Sequence, residues 1–136
     1  LTIGIFFHLA KTREQAIREM RPLYEEHVKM FAPLGFVPGI TPEQVAAVAK
    51  RGGWEAAGVP TLEHFMQLGA WFAGTPEQLI ERLKQLEERY PGMEHINLST
   101  ALTTPTSVML DQFQWVAEEV MPAFKKAKAK EPVLGQ

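Results

Sequence analysis

Cysteine is absent from the 136 residues. That excludes disulfide bonds, thiolate nucleophiles and cysteine-ligated metals, and it agrees with a cytoplasmic protein. Charge of one sign is lacking as well: 14 basic and 16 acidic side chains leave a net charge of −2. So balanced a chain carries no electrostatic attraction for nucleic acid or for an anionic membrane. No apolar run approaches the roughly 20 residues of a transmembrane helix. Leu1 to Ala10 lacks the basic start and the cleavage site of a signal peptide. Histidines are few and scattered. His27, His64 and His95 form no His-x3-His or Glu-x-x-His pair with a third ligand, so no metal site is read. No serine has histidine and acid at nucleophile spacing.

What remains is an ordinary globular balance, 46% apolar and 22% charged, in a length that suits one domain. The chain is organised around Gly74-Thr75-Pro76-Glu77-Gln78. Before it, Ala70-Trp71-Phe72-Ala73 is short and apolar, as a buried strand is. Thr75 stands at a helix N-cap, Pro76 at the first helical position, and Gln78 completes a capping box. Leu79, Ile80, Leu83, Leu86 and Tyr90 then recur at helical spacing until Pro91-Gly92. Met93 to Leu102 follows as a strand, with Ile96, Leu98 and Leu102 on one side and His95, Asn97 and Ser99 on the other. Strand, turn, capped helix, strand predicts a βαβ unit and a parallel sheet.

Upstream, Leu1 to Leu9 is nearly continuous in apolar and β-favouring residues, the pattern of a strand covered on both faces. The chain opens inside this run without an initiator Met, as if something had been cut away in front of it. Thr12-Arg13-Glu14-Gln15 reads as a second capping box, opening a helix through Ala16, Met20, Tyr24 and Phe31 that Pro22 should kink or split. Thr41-Pro42-Glu43-Gln44 is a third, and Arg51-Gly52-Gly53 stops its helix. Phe36-Val37 has the character of a short strand. Residues 38–69 form an excursion of irregular chain and short helices, with Thr61 opening the last. After the turn at Thr103-Thr104-Pro105, a closing helix carries Val108, Met109, Phe113, Val116 and Val120 on one face. Met121-Pro122 bends or ends it. The domain therefore spans 1–124, and the basic segment 125–136 is read as a frayed tail.

The run Trp71-Phe72-Ala73-Gly74-Thr75-Pro76-Glu77-Gln78, then His95-Ile96-Asn97-Leu98, then Val116-Ala117-Glu118-Glu119-Val120-Met121-Pro122 resembles the C-terminal part of the luciferase-like monooxygenases. Leu9-Ala10-Lys11-Thr12-Arg13-Glu14-Gln15-Ala16 looks like the same family. These are flavin-dependent oxidoreductases related to bacterial luciferase and alkanesulfonate monooxygenase. The resemblance implies an α/β chain forming the C-terminal part of a (β/α)8 TIM-type barrel: its last three βα units, parallel strands with helices outside. It implies reduced FMN as cofactor, or the deazaflavin F420 in some relatives, with O2 and a small-molecule organic substrate. The missing N-terminal barrel half, which holds most flavin contacts in the family, or a homo-oligomer would have to complete the structure. The isolated chain is then inactive.

The expected rim of such a barrel contains His8, Gly74, Thr75, Ser99 and Thr100 as cofactor-binding or substrate-facing candidates. His8 is read as a proton donor or flavin-facing group, or else as a strand-end histidine bonded to backbone. Gly74-Thr75 presents N–H groups to an anion at a helix N-terminus, or is simply a cap. Ser99 and Thr100 are read as ligand hydrogen-bonders. Arg51, flanked by glycines in the excursion, is read as folding onto a phosphate, sulfonate or carboxylate, or as a plain helix stop. Trp54, Phe65, Met66, Trp71 and Phe72 line an apolar pocket or are core. The competing reading is non-enzymatic: a half-barrel that self-associates and serves as a binding or structural module.

Overall fold

The computed structural model describes residues 2–128. Three parallel strands form its sheet: β1 (Thr2–Leu9), β2 (Trp71–Gly74) and β3 (His95–Ser99). The helices are α1 (Arg13–Phe31), α2 (Pro42–Arg51), α3 (Leu62–Leu68), α4 (Pro76–Arg89), α5 (Thr106–Trp115) and α6 (Pro122–Lys128), with a π turn at Val116–Val120. The α/β class and the parallel sheet are thus observed, each strand running into a helical segment.

The strand order is β2-β1-β3. Phe6 lies opposite Trp71 on one side of β1 and opposite Ser99 on the other. Three consecutive barrel units would lie side by side in chain order with their helices on one face. Here the first strand is central, and alternate residues along it feed two cores. Ile5, Phe7 and Leu9 pack with Leu79, Leu83 and Leu86 of α4 and with Val116 and Val120. On the opposite face Phe6 joins Ala16, Met20, Tyr24 and Val28 of α1, Leu62 of α3, and Trp71 and Ala73. This is the arrangement of an open, doubly wound sheet. Each fully buried leucine of α4 contributes about 1.5–3 kcal/mol.

The local signals explain the element starts. Thr41 and Thr75 both close complete capping boxes with Gln44 and Gln78. At Thr12 only half a box forms: its hydroxyl accepts from the Gln15 N–H at 3.1 Å, but the Gln15 amide turns to Glu19. Pro22 does not split α1, which runs unbroken across it with the ring exposed to solvent. Phe36-Val37 forms no strand but lies in turns after a 3-10 segment at Ala32–Leu34.

β3 is shorter than its sequence pattern. It stops at Ser99 because the chain turns at Ala101, whose carbonyl accepts from the Thr104 N–H at 2.9 Å. The Leu102 N–H goes to the His27 ring instead of a ladder, and Leu102 is exposed rather than in line with Ile96 and Leu98. In the closing segment the buried positions are Gln112, Val116 and Val120, while Phe113 is 40% exposed. Of the segment 125–136 read as a tail, residues 125–128 belong to α6, and 129–136 lie outside the described residues. Among the described residues no helix is long and apolar enough to cross a membrane.

Candidate functional site

In doubly wound sheets ligands gather outside the carboxyl ends of the strands, at the point where the winding reverses. Here that point lies between β1 and β3, since β2 and β3 leave β1 on opposite sides. The register brings His8 opposite Ala73 and Leu9 opposite Gly74. His8, Gly74 and Thr75 therefore share one end of the sheet. Ser99 lies two residues further down, opposite Phe6, with Thr100 just after it. Arg51 is not brought to this end. It is the exposed last residue of α2, and Gly52 and Gly53 line a separate cleft of about 850 Å3 against Arg21, Tyr24 and Glu25 in the middle of α1. Gly52 caps α2 with φ 82°, donating to the Val48 carbonyl, so the Arg51-Gly52 pair ends a helix.

His8 is 4% exposed, and its partner is a carboxylate rather than backbone: Nε2 lies 2.8 Å from Oε2 of Glu19. Oε1 of Glu19 accepts from the Gln15 amide at 2.8 Å. Burial pushes the Glu19 carboxyl up, but the hydrogen bonds from His8 and Gln15 more than offset this and hold it below 4.5. An ionised Glu19 can only accept, so Nε2 carries a proton, and in a neutral ring Nδ1 is the acceptor. A carboxylate-oriented imidazole of this kind is chemically a proton carrier.

The Gly74-Thr75 turn is a cap in its geometry. The Thr75 N–H donates to the Gln78 side chain at 3.0 Å, and the Gln78 N–H donates to the Thr75 hydroxyl at 3.3 Å. Pro76 has no N–H, and Glu77 puts a carboxylate in the first turn. An anion there would find the Thr75 and Gln78 N–H groups already engaged and would face the like charge of Glu77.

Sequence reasoning missed the residue that occupies the switch point. β3 ends opposite Phe6, yet β1 continues to Leu9. Its last N–H and C=O on that side are taken by Gln112 of α5: Leu9 N–H donates to Oε1 at 2.6 Å, and Nε2 donates to the Leu9 carbonyl at 2.9 Å. One side-chain amide thus stands where the next β3 residue would have paired. A signal was present, because Gln112 falls on the same four-residue stripe as Val108, Val116 and Val120.

Two other buried polar groups were also missed as such. Tyr24, 1% exposed, donates its hydroxyl to the Pro60 carbonyl at 2.7 Å, and burial raises its pKa. His27 is enclosed by Phe6, Phe31 and Trp71, and burial lowers its pKa. Trp54, Phe65, Met66 and Trp71 pack in or against the α1-side core, and Phe72 packs against the α4-side core. Among the described residues no group of three or more His, Asp and Glu converges to hold a metal.

Fold and site together define an α/β protein with a doubly wound parallel sheet, a carboxylate-held histidine at its carboxyl edge and a glutamine-filled switch point. Comparison with protein-family models, curated proteins and solved structures finds no match for this chain.

Proposed function

We propose that the chain is the C-terminal portion of a flavin-dependent oxidoreductase of the luciferase-like kind, acting with reduced FMN and O2 on a small organic substrate. One observation carries this reading: the ordered resemblance from Leu9-Ala10-Lys11-Thr12 through Gly74-Thr75-Pro76-Glu77 to Glu118-Glu119-Val120-Met121-Pro122. The parallel strands that end at Leu9, Gly74 and Ser99, each running into a helical segment, are in keeping with it.

The rim does not fit a flavin phosphate. The α4 N-terminus is closed by its own capping box and by Glu77, so in this reading the phosphate is held by chain preceding Leu1. His8 then contributes a proton-handling group. The barrel part of the proposal carries a topological consequence. In a closed barrel the three strands would stand in chain order, whereas β1 here lies between β2 and β3, so the reading draws on the resemblance and on the parallel α/β units rather than on barrel closure.

The coding sequence upstream of Leu1 tests the proposal directly. An open frame of about 200 further residues, the remainder of a barrel with insertions, is expected. Its full-length product should quench FMN fluorescence at micromolar concentration, whereas the 136-residue chain should not. A closed upstream frame, or a longer product that binds neither FMN nor F420, sinks the proposal. The non-enzymatic reading has one observation of its own, the open edge of β2.

A further inference from the structure

His27 is a buried ionisable group that the proposed function leaves unused. It is 8% exposed and caged by Phe6 of β1, Trp71 of β2 and Phe31 of its own helix, with ring centroids 4.8, 5.1 and 4.7 Å away. The Leu102 N–H donates to its Nδ1 at 3.2 Å. A main-chain amide can only donate, so Nδ1 is bare and the neutral ring carries its proton on Nε2. In the imidazolium both nitrogens are donors, and this bond cannot exist.

Leu102 sits in the turn that leads from β3 to α5. Among the described residues two side-chain hydrogen bonds tie that turn to α1: the one to His27, and one from the Thr103 hydroxyl to the Leu23 carbonyl at 3.0 Å. Ala101 is buried, but Leu102 is 63% exposed, so lifting the turn uncovers little apolar surface. The Thr104 hydroxyl oxygen is buried and finds no partner among the described residues, and in a lifted turn water would satisfy it. The turn is thus held by two bonds to adjacent turns of α1, and one of them depends on a neutral imidazole.

No neighbouring charge competes with burial for this proton. β2 and residues 101–104 carry no titratable side chain, and β3 carries only His95, opposite Thr2 at its far end. On β1, His8 is held by Glu19. On α1, burial raises the pKa of Tyr24, Glu25 lines the cleft beside Arg21, and Glu26 pairs with Lys29 at the surface. Burial therefore sets the direction, which is downward from 6.5. Once the turn lifts, the ring meets water and takes up its proton near that ordinary value.

We propose that His27 is an acid-released latch: protonating its ring breaks the bond to Leu102 and frees the turn from Thr100 to Thr104 at the carboxyl end of β3, while the sheet stays folded. Opening would also bare the cage of Phe6, Phe31 and Trp71 to solvent. The proposal does not rest on the flavin reading.

Amide hydrogen exchange followed by NMR on the 136-residue chain tests it, with rates corrected for their intrinsic pH dependence. The Phe6 amide, bonded to the Ala70 carbonyl at 3.0 Å, marks global unfolding. Leu102 should be less protected than Phe6 at every pH. Its protection should fall about three- to tenfold between pH 7.5 and 5.5, the linkage of one proton. His27→Phe keeps an aromatic ring in the cage without an acceptor. It should leave Leu102 unprotected at both pH values with Phe6 still protected. Thr103→Val removes the second tie, so it should lower Leu102 protection at both pH values and keep the pH dependence. Leu102 protection that is the same at pH 7.5 and 5.5, or equal to that of Phe6 throughout, overturns the proposal. So does wild-type protection of Leu102 in either variant.

Discussion

Replacing Gln112 by methionine keeps the length and most of the volume of the side chain while deleting both hydrogen-bonding ends. The Leu9 N–H and C=O, paired in the wild type at 2.6 and 2.9 Å, are then stranded. Gln112 is 5% exposed and Leu9 1% exposed, so water cannot simply replace the amide. Stranding a buried donor or acceptor costs about 1–3 kcal/mol each. Partial relaxation of the β1 end recovers some of this, leaving an expected loss of roughly 2–4 kcal/mol. That is a large share of the stability of about 5–15 kcal/mol usual for a domain. Urea unfolding followed by tryptophan fluorescence reads the loss as a lower midpoint at unchanged slope. Gln114→Met is the matched control. Gln114 is exposed, its amide meets only Glu118, and its loss should change stability by less than about 0.5 kcal/mol. Hydrogen exchange at the Leu9 amide supplies a local readout, rising sharply in Gln112→Met alone. A loss below about 1 kcal/mol with the Leu9 amide still protected would refute the strand-substitute role.

Three further outcomes are expected. Burial holds the folded pKa of His27 below 6.5, so the unfolded chain takes up this proton first. Stability is therefore full above pH 6.5 and falls as the pH drops from there, and His27→Phe should flatten that slope in urea titrations between pH 7.5 and 5. Below pH 4.5 a second decline should set in as the lowered carboxyls of Glu19 and Glu63 protonate. Gly69→Ala should lower stability by about 1–2 kcal/mol in thermal melts, because Gly69 has φ 86° and the Arg82 guanidinium lies where a Cβ would go. Pro22→Ala should raise the melting temperature, gaining about 1–3 kcal/mol, since an exposed mid-helix proline withholds a backbone donor from α1.

The parts legible in the sequence were those written in local chemistry. Thr41 and Thr75 with their glutamines marked two helix starts to the residue, and the alternation of Ile96 and Leu98 against His95, Asn97 and Ser99 gave the faces of β3. What stayed hidden depends on which strand lies beside which. Apolar strands such as β1 are covered on both faces in a barrel and in a doubly wound sheet alike, so its pattern does not distinguish central from terminal placement. The candidate site followed suit. His8 stood out as a residue type at a strand end, but its Glu19 partner required knowing that α1 folds back along β1. Arg51 drew notice through its glycine neighbours, which turned out to make a cap. Gln112 was passed over because a polar side chain within an apolar stripe acquires meaning only when a strand end is found waiting for it.

The central position of β1 has a kinetic consequence. Both cores are built on β1, and among the described residues its strand partners all come later in the chain: β2 at Trp71–Gly74, β3 at His95–Ser99, and finally Gln112, 103 residues after Leu9. Closing a loop of that length costs about 4 kcal/mol of chain entropy before any contact rewards it. The helices α1 and α4 can form from local signals, but neither core is complete until β1 has been threaded between two strands made after it. The rate-limiting event of folding should thus be the docking of β1, and a chain stalled before α5 would hold an apolar strand with one end unpaired. Such an intermediate presents the segment Ile3–Leu9 to any neighbouring chain, which makes the first strand both the organiser of the native sheet and its main liability during refolding.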